Sequence, residues 1–297
     1  MKEIVIISGK GGTGKTSLTS SFTMLSGNDL IAADCDVDAP DMHLLLKPDL
    51  AKSYEFYSGE LAVIDYDKCT SCGICMEVCR FDAFSIIDDL YKISKINCEG
   101  CAYCSYVCPE KAIEMVTQNV GKWYISNIKS GSQMVHAHLN VGAENSGKLV
   151  AKVKNEARRI AKETDKKYIL VDGSPGIGCP VISSLTGADF VVIVTEPTAS
   201  GIHDLKRVND LVKRFNIKCS GIINKCDINP AACREIEDYF TAEGIHHLVS
   251  LSYDENFTKA MTEGKTIVEY DNGELYNKIN NAWENITDLL QTKGESQ

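Results

Sequence analysis

Residues Glu3 to Ser17, "EIVIISGKGGTGKTS", join an apolar run to a glycine-rich loop. The run "EIVIIS" is typical of a β-strand that is buried on both faces. The loop from Gly9 to Thr16 fits the pattern G-x-x-x-x-G-K-[ST], and we predict a helix from Lys15 to about Leu25. A strand, this loop and a helix in that order form a phosphate-binding loop (P-loop), in which backbone N–H groups and the helix N-terminus hold phosphate oxygens.

The residues of this loop have separate predicted roles. Glycines allow the backbone N–H groups to turn toward phosphate, Lys15 reaches the β- and γ-phosphates, and the Thr16 hydroxyl ligates Mg²⁺. A glycine-rich turn without a ligand is the alternative, but the position between a buried strand and a helix favours a nucleotide site. The predicted nucleotide contacts in the loop are Gly11, Gly12, Thr13, Gly14, Lys15, Thr16 and Ser17.

Further apolar runs predict more buried strands, and helical patterns separate them. The predicted strands are Leu30–Asp34, Tyr168–Asp172, Phe190–Thr195 and Cys219–Asn224. Residues 146–164 and 200–215 have helical periodicity, and residues 122–139 predict a β-hairpin. Strands that alternate with helices predict an α/β fold with a mainly parallel sheet flanked by helices.

Clustered cysteines interrupt this pattern between about Gly59 and Gln118. Two similar runs occur there, "CTSCGICMEVCRFDAFSI" and "CEGCAYCSYVCPEKAIEM". We therefore predict a small domain of residues 60–118 inserted into a nucleotide-binding domain of residues 1–59 and 119–297.

The eight clustered cysteines match the spacing of bacterial two-cluster ferredoxins. In that pattern three thiolates of one run hold a [4Fe–4S] cubane, and the fourth cysteine of the run ligates the other cluster. We predict one cluster on Cys69, Cys72, Cys75 and Cys108, and a second on Cys98, Cys101, Cys104 and Cys79. Zinc is the competing interpretation, but a zinc site would leave the third cysteine of each run unused. Arg80 stands where a proline would complete the first run.

With Lys10, the loop reads "GKGGTGKT" and resembles the deviant Walker A motif of the MinD/ParA superfamily of P-loop ATPases, which includes the nitrogenase iron protein. With the cysteine insert, the chain resembles the members that contain an inserted two-[4Fe–4S] ferredoxin domain. The resemblance covers nearly the whole chain and includes "AENSGKLV" (143–150), "DGSPGIGCPVI" (172–182) and "VTEPTASGIHDLKRV" (194–208).

This resemblance implies roles for several residues. Lys10 would reach across a dimer to the partner's nucleotide, so the chain would form a homodimer, or a heterodimer with a paralogous ATPase, around ATP. "DCDVDAPD" (34–41) resembles switch I, in which Asp36 positions water and Mg²⁺. "ILVDGSPGIG" (169–178) resembles switch II, with Asp172 as the Walker B carboxylate and Gly176 as a γ-phosphate sensor. The implied catalytic residues are Lys10, Lys15, Asp36 and Asp172.

The strand that ends in "GIINK" resembles the adenine-recognition strand of the same superfamily. Asn224 is the predicted base contact, with Lys225 beside it, and Tyr253 and Asp254 are expected to flank the base.

The resemblance implies an ATPase that couples nucleotide-dependent dimerisation to two [4Fe–4S] clusters and gates electron transfer to an unidentified redox partner. Two alternatives remain open. One is an iron–sulfur cluster carrier or assembly ATPase, although no C-x₂-C pair exists outside the insert. The other is a redox-sensing positioning switch of the MinD/ParA type.

Composition limits the partners. The net charge of −10 does not favour nucleic acid as a partner, because binding to phosphates needs clustered Lys and Arg. The amphipathic C-terminal segment from Gly273 to Lys293 has a polar face of mixed charge, so we expect it to pack on the core rather than on lipid. Without a signal-peptide pattern, thirteen cysteines predict reduced, metal-binding thiols in the cytoplasm.

Other residues have two interpretations each. Cys179 in switch II is either a packed thiol or a ligand between two subunits. His136 and His138 share one face of a predicted strand, which is either solvated or forms a polar or metal site. The remaining pairs are Asp34 and Asp38, which either cap a loop or act in switch I, and Ser146 and Lys148, which either cap a helix or serve a dimer interface.

Overall fold

A computed structural model describes residues 1–143 and 146–291 of the chain. Two parts of the chain lie outside the described residues. The first is Glu144 and Asn145, in the stretch "AENSGKLV". The second is residues 292–297, which end the predicted nucleotide-binding domain and include the end of the predicted amphipathic segment.

The strands and helices follow each other along the chain in a largely alternating order. The strands are β1 (Lys2–Ile7), β2 (Leu30–Asp34), β3 (Lys52–Ile64), β4 (Phe84–Ile87), β5 (Leu90–Ile93), β6 (Ile113–Asn127), β7 (Gln133–Leu139), β8 (Tyr168–Asp172), β9 (Phe190–Thr195), β10 (Lys218–Ile223) and β11 (His246–Ser250). The helices are α1 (Lys15–Ser26), α2 (Met42–Leu46), α3 (Ile74–Val78), α4 (Tyr103–Val107), α5 (Ser146–Glu163), α6 (Cys179–Leu185), α7 (Ala199–Arg214), α8 (Pro230–Glu243), α9 (Asn256–Thr262), α10 (Ile267–Tyr270) and α11 (Glu274–Gln291).

The predicted α/β fold with a mainly parallel sheet is confirmed. The strand order is β11-β10-β9-β1-β8-β2-β7-β6-β3, and the seven strands from β11 to β7 pair in parallel. Helices supply the crossovers between parallel strands, as parallel pairing requires. The structure also has the predicted hairpin, in which β6 and β7 are joined by a turn where Ile128 N–H donates to Ser132 O.

The central strands are buried because their sequences are apolar on both faces. In β1, Ile4 to Ile7 have no exposed surface, and all of β2 is buried. Asp34 and Asp172 are in register at the carboxyl ends of β2 and β8. Since parallel strands end at the same edge of a sheet, this edge collects polar side chains, and ligands of open α/β sheets bind there.

Helix α11 covers one side of the core with its apolar stripe, as the sequence predicts. Ile279 and Ile286 are fully buried, and the ring of Trp283 stacks on Phe22 with 5.5 Å between ring centroids. In the part of the chain that the structure describes, none of the helices combines the length and apolar character that crossing a membrane requires.

Buried charges fix the helices beside this carboxyl edge of the sheet. Lys154 of α5 is 1% exposed, and its Nζ lies 2.8 Å from Oε1 of the buried Glu3 in β1. The same ammonium donates to Ser183, Ser184 and Thr186 carbonyls at the end of α6. Because a buried ammonium is costly unless it is fully paired, this arrangement holds α5 and α6 in one defined register.

The chain divides into two compact units. The first comprises Met1–Tyr54, Trp123–His138 and the residues from Ser146 onward, and the second comprises Glu55–Lys122 with the segment that starts at Leu139. The second unit contains the hairpin β4–β5, helices α3 and α4, and a small core that includes Ile64, Phe84 and Ile113. The domain bounds of 60–118 remain a prediction.

Candidate functional site

An open cavity of about 520 Å³ lies at the carboxyl ends of β1, β2 and β8. Its volume is in the range of small-molecule sites. The cavity is lined by Ser8, Gly11, Gly12, Thr13, Gly14, Lys15, Thr16, Ser17, Asp36, Asp38, Ala39, Asp41, Ser174, Pro175 and Pro180. The structure therefore brings all seven predicted P-loop contacts together with Asp36 from switch I.

The backbone of the P-loop has the shape that a phosphate ligand needs. Gly12 and Gly14 have φ values of +80° and +92°, a conformation that glycine adopts without strain. A Cβ at Gly14 would lie 2.4 Å from Nδ2 of Asn224, so a larger residue there would displace the Asn224 side chain. Thr13 Oγ1 is buried without a hydrogen-bond partner among the described residues. A buried polar atom without a partner is costly, and a bound phosphate would satisfy it.

Lys15 carries the only cationic side chain of this cavity within the described residues. It is 5% exposed, and its Nζ lies 2.8 Å from Asp172 Oδ2 and 3.7 Å from Asp36 Oδ2. Burial alone would lower the pKa of Lys15, but the carboxylates of Asp172 and Asp36 outweigh burial and raise it. The ammonium is therefore charged at neutral pH and points toward the cavity floor.

Asp172 is fully buried at the end of β8 and accepts hydrogen bonds from two hydroxyls of α1. Thr16 Oγ1 donates to its Oδ2 at 2.7 Å, and Thr19 Oγ1 donates to its Oδ1 at 2.8 Å. Asp34 is buried beside it, and burial first and Asp172 second raise the pKa of Asp34 well above the ordinary value. Asp34 also accepts from the N–H groups of Asp36 and Met42, which is the capping role that the sequence allowed.

The carboxylates at this edge fit a divalent cation. Asp172 and Asp36 lie 2.8 and 3.7 Å from the ammonium of Lys15, so two carboxylates share one cationic side chain. Mg²⁺ is usually held by one or two carboxylates together with substrate phosphates and water. The Thr16 hydroxyl and the Asp172 carboxylate, which are joined by a hydrogen bond of 2.7 Å, have the chemistry of such a site.

Asp36 lines the cavity and has a pKa close to neutral pH. Burial first, and then Asp172, Asp38 and Asp41, raise the pKa of Asp36 to about 6, against the opposing effect of Lys15. Its ionised form is therefore disfavoured in the chain without nucleotide and metal.

We expect Asp36→Asn to stabilise the nucleotide-free chain at pH 8 by about 1–3 kcal/mol. Because folding raises the pKa of Asp36 from 3.8 to about 6, ionisation opposes folding as the pH rises through this window. The gain should be about half as large at pH 5, where the folded carboxyl is mostly protonated. Anoxic denaturant unfolding without Mg²⁺ measures it, with Asp238→Asn on the exposed face of α8 as control. A loss of stability at pH 8 in Asp36→Asn would contradict this account.

Switch II lies against the P-loop strand. Gly176, with a φ of +92°, donates its N–H to Ser8 O at 2.9 Å. The predicted γ-phosphate contact of Gly176 therefore requires this hydrogen bond to open. Cys179 is exposed at the start of α6, and a Cβ on Gly147 in the first turn of α5 would lie 3.4 Å from its Cβ. The predicted dimer-interface roles of Ser146, Lys148 and Cys179 remain proposals.

The residues predicted to contact adenine do not line this cavity, but two of them bond to the backbone of the P-loop. Asn224 Nδ2 donates to Thr13 O at 2.9 Å, and Lys225 Nζ donates to Gly12 O at 2.8 Å. Tyr253 is 55% exposed, while the carboxylate of Asp254 accepts from Asn256 N–H at the start of α9. Their contacts with a base remain a prediction.

Lys10 does not line the nucleotide cavity. Its Nζ lies 2.7 Å from Oε1 of Glu196, which follows β9. Sequence reasoning missed the roles of both Glu196 and Thr19, because these roles depend on tertiary contacts. The signals for Glu196 are its place in the stretch 194–208 that carries the family resemblance and its position directly after a buried strand at the carboxyl edge of the sheet.

The eight cysteines of the second unit gather around two separate cavities. The first cavity is lined by Cys69, Cys72, Cys75 and Cys108, together with apolar residues that include Ile64, Ile74 and Ile113. The second cavity is lined by Cys79, Cys98, Cys101 and Cys104, together with Ala62, Phe84 and Met115. Each cavity combines three cysteines of one run with the fourth cysteine of the other run, which is the grouping that the spacing predicts. A cavity lined by four thiols and by apolar side chains has the ligands that a [4Fe–4S] cubane cluster requires.

The interpretation of His136 as a solvated strand residue is wrong. His136 and His138 do share a face, since both rings stack on Tyr124 with centroid distances of 4.9 and 5.9 Å. However, β7 lies inside the sheet, and His136 is only 6% exposed and hydrogen-bonded to Ser126 Oγ. Burial, and then His43 and His138, lower its pKa to about 4. His136 is therefore a neutral core residue at physiological pH.

Comparison with known proteins identifies a domain family within the chain and a relative of most of its length. A family model described as "4Fe-4S dicluster domain" matches residues 62–115. The chain is 37% identical over 229 residues to the Methanocaldococcus jannaschii protein MJ0578, across 76% of this chain and 79% of that protein.

Two solved structures have the same fold. The MinD cell division protein of Aquifex aeolicus superposes with a TM-score of 0.59 at 18% identity, across 97% of this chain and 98% of that one. The septum site-determining protein MinD of Pyrococcus horikoshii, complexed with Mg-ADP, superposes with a TM-score of 0.57 at 17% identity, across 99% of each chain.

Proposed function

Since this chain belongs to one family with MJ0578 and combines the MinD/ParA P-loop ATPase fold with a 4Fe–4S dicluster domain, we propose that it is an ATPase that gates electron transfer to a partner protein. The ATP-bound form is a dimer, either of two copies or of this chain and a paralogous ATPase. The two cysteine sets hold two [4Fe–4S] clusters, and the nucleotide state controls their electron transfer.

The arrangement of Lys15 and Asp172 carries this proposal. A nearly buried ammonium lies 2.8 Å from a fully buried carboxylate on the floor of an open cavity that is lined by a glycine-rich loop. This geometry supports the binding of a triphosphate, because the ammonium of Lys15 attracts phosphate oxygens. It also supports the binding of a divalent cation, because the carboxylates of Asp36 and Asp172 lie beside the same cavity.

The residues of the chain would act mainly through position and charge. Lys15 binds the β- and γ-phosphates, Thr16 and Asp172 hold the metal and its water ligands, and Asp36 orients the attacking water. Mg²⁺, when bound, neutralises charge that develops on the transferred phosphoryl group. Lys10 adds positive charge at the phosphates after leaving its present partner Glu196.

The cysteines would bind the clusters, and the residues around them would determine the reduction potentials. Each set of four thiolates holds one cluster, which supplies one-electron chemistry. Apolar residues around the thiolates exclude water and thereby tune the potential. Cys72 and Cys101 are exposed, which supports an electron path to a protein partner through these edges.

The coupling proposal depends on chain connectivity. Switch I, with Asp36, leads through α2 into β3, which begins in the first unit and ends in the second. A movement of switch I on ATP binding is therefore passed directly to the segment that leads to Cys69. An iron–sulfur carrier is the alternative, and the exposed Cys179 in switch II is the observation in its favour.

Nucleotide-dependent assembly tests the proposal. We expect anoxic sedimentation to give a dimer with a non-hydrolysable ATP analogue and a monomer with ADP. Phosphate release per chain should rise with protein concentration, because two chains complete one site. A monomer in both nucleotide states, together with a hydrolysis rate that is independent of concentration, would contradict the dimeric mechanism.

A further inference from the structure

Glu196 bonds to two lysines, Lys10 within the P-loop and Lys225 beside it. Its Oε1 lies 2.7 Å from Lys10 Nζ, and its Oε2 lies 2.9 Å from Lys225 Nζ. The residue follows β9 and is 8% exposed. Burial would raise the pKa of Glu196, but the hydrogen bonds from both lysines outweigh burial and lower it. The carboxylate is therefore ionised at neutral pH.

The backbone around Glu196 is closely packed. Thr198 N–H donates to Glu196 O at 2.8 Å, and a Cβ at Gly201 would lie 2.2 Å from the same oxygen. Gly201 N–H donates to the side chain of Thr198, which caps α7. The backbone that carries this carboxylate is therefore held in a tight turn.

All three N–H donors of Lys10 are used inside its own subunit. Besides Glu196, Lys10 Nζ donates to Thr198 Oγ1 at 3.0 Å and to Ser200 Oγ at 2.9 Å. An ammonium has three donors and no more. Since Lys10 does not line the nucleotide cavity, it has to give up at least one of these partners before it contacts any phosphate, whichever subunit provides that phosphate.

We propose that Glu196 is a positioning residue that holds Lys10 away from phosphate in the nucleotide-free subunit and thereby sets the nucleotide concentration at which the dimer forms. This inference rests on the proposed function. The carboxylate is the strongest of the three partners, because it alone carries a full negative charge that attracts the ammonium, whereas Thr198 and Ser200 offer neutral hydroxyls. Lys225 retains Gly12 O after Lys10 leaves, so the loop stays ordered during the exchange.

Removing the charge of Glu196 tests this role. In Glu196→Gln the amide keeps an acceptor for Lys10 but loses the charge, so we expect the dimer with a non-hydrolysable ATP analogue to form about tenfold more tightly. Ser200→Ala, which removes a neutral partner of the same ammonium, is the matched control and should change the dimerisation constant by less than about threefold. An unchanged or weaker dimerisation constant in Glu196→Gln would overturn the proposal.

A double-mutant cycle assigns the effect to Lys10. The gain from Glu196→Gln should vanish in a Lys10→Ala background and persist in a Lys225→Ala background. The opposite pattern would show that Glu196 acts through Lys225 and would overturn the role proposed here.

A measurement on the monomer separates this proposal from the proposed function. Amine-specific labelling of the nucleotide-free chain, read by mass spectrometry, should modify Lys10 faster in Glu196→Gln than in the wild type. If neither chain forms a dimer with the ATP analogue, the proposed function is wrong. In that case faster labelling of Lys10 in Glu196→Gln still supports the conclusion that Glu196 holds Lys10 in place, and equal labelling of the two chains refutes it.

Discussion

Lys15→Ala is expected to lower the affinity for ATP about 100-fold or more and to bring hydrolysis below detection. Lys15 is the cationic side chain on the floor of the nucleotide cavity, and hydrogen bonds from such a group to phosphates each contribute about 1.5–3 kcal/mol. Its loss also leaves Asp36 and Asp172 without the ammonium that lies between them, so the empty site repels a triphosphate. Equilibrium binding of a fluorescent ATP analogue and phosphate release measure the two effects.

The control for this variant is Lys167→Ala. Lys167 directly precedes β8, which ends in Asp172, and its exposed ion pair with Asp29 has an N–O distance of 2.7 Å. Exposed pairs of this kind contribute little, so binding and hydrolysis should match the wild type. Ordinary ATP affinity in Lys15→Ala, with both variants folded and loaded with clusters, would disprove the nucleotide site.

Cys72→Ser is expected to remove one of two clusters and to spare the other. Iron content should fall from about eight to about four atoms per chain, and one of two reduced-cluster signals should disappear. Cys72 lines the cavity that also contains Cys69, Cys75 and Cys108, and a serine hydroxyl is a poor ligand in place of a thiolate. Anoxic iron analysis and electron paramagnetic resonance measure the loss.

Two further variants make this test specific. Cys101→Ser, in the other cavity, should remove the complementary signal, and Cys219→Ser, a half-buried thiol outside the second unit, should leave both. Unchanged iron in Cys72→Ser, or loss of the same signal in Cys72→Ser and Cys101→Ser, would refute the assignment of the ligands.

The parts of the fold that the sequence predicts are those with local signals. The strands at Leu30–Asp34, Tyr168–Asp172 and Phe190–Thr195 have the bounds that their apolar runs predict. The P-loop residues are consecutive, so one stretch names all the loop residues that line the cavity, from Gly11 to Ser17. By contrast, β3 and β11 carry no comparable run, because β3 is mostly exposed in its first half and β11 is partly exposed along its length.

The remaining features depend on residues that are distant along the chain. Glu196 meets Lys10 and Lys225 only in the folded sheet, and no spacing rule connects these positions. His136 alternates with His138 as a solvated pair would, yet the strands on both sides of β7 bury it. The raised pKa of Asp36 likewise follows from burial beside other carboxylates rather than from its motif.

The central claim is that the nucleotide site and the clusters influence each other, and the midpoint potentials test it most directly. They are measured under anoxic conditions with and without a non-hydrolysable ATP analogue. Coupling between two sites is reciprocal, and a typical coupling free energy shifts a one-electron potential by about 40 mV or more. We expect a shift of that size for at least one cluster in the wild type and none in Lys15→Ala. Identical potentials with and without the analogue, at a concentration that saturates the wild-type site, would contradict the coupling.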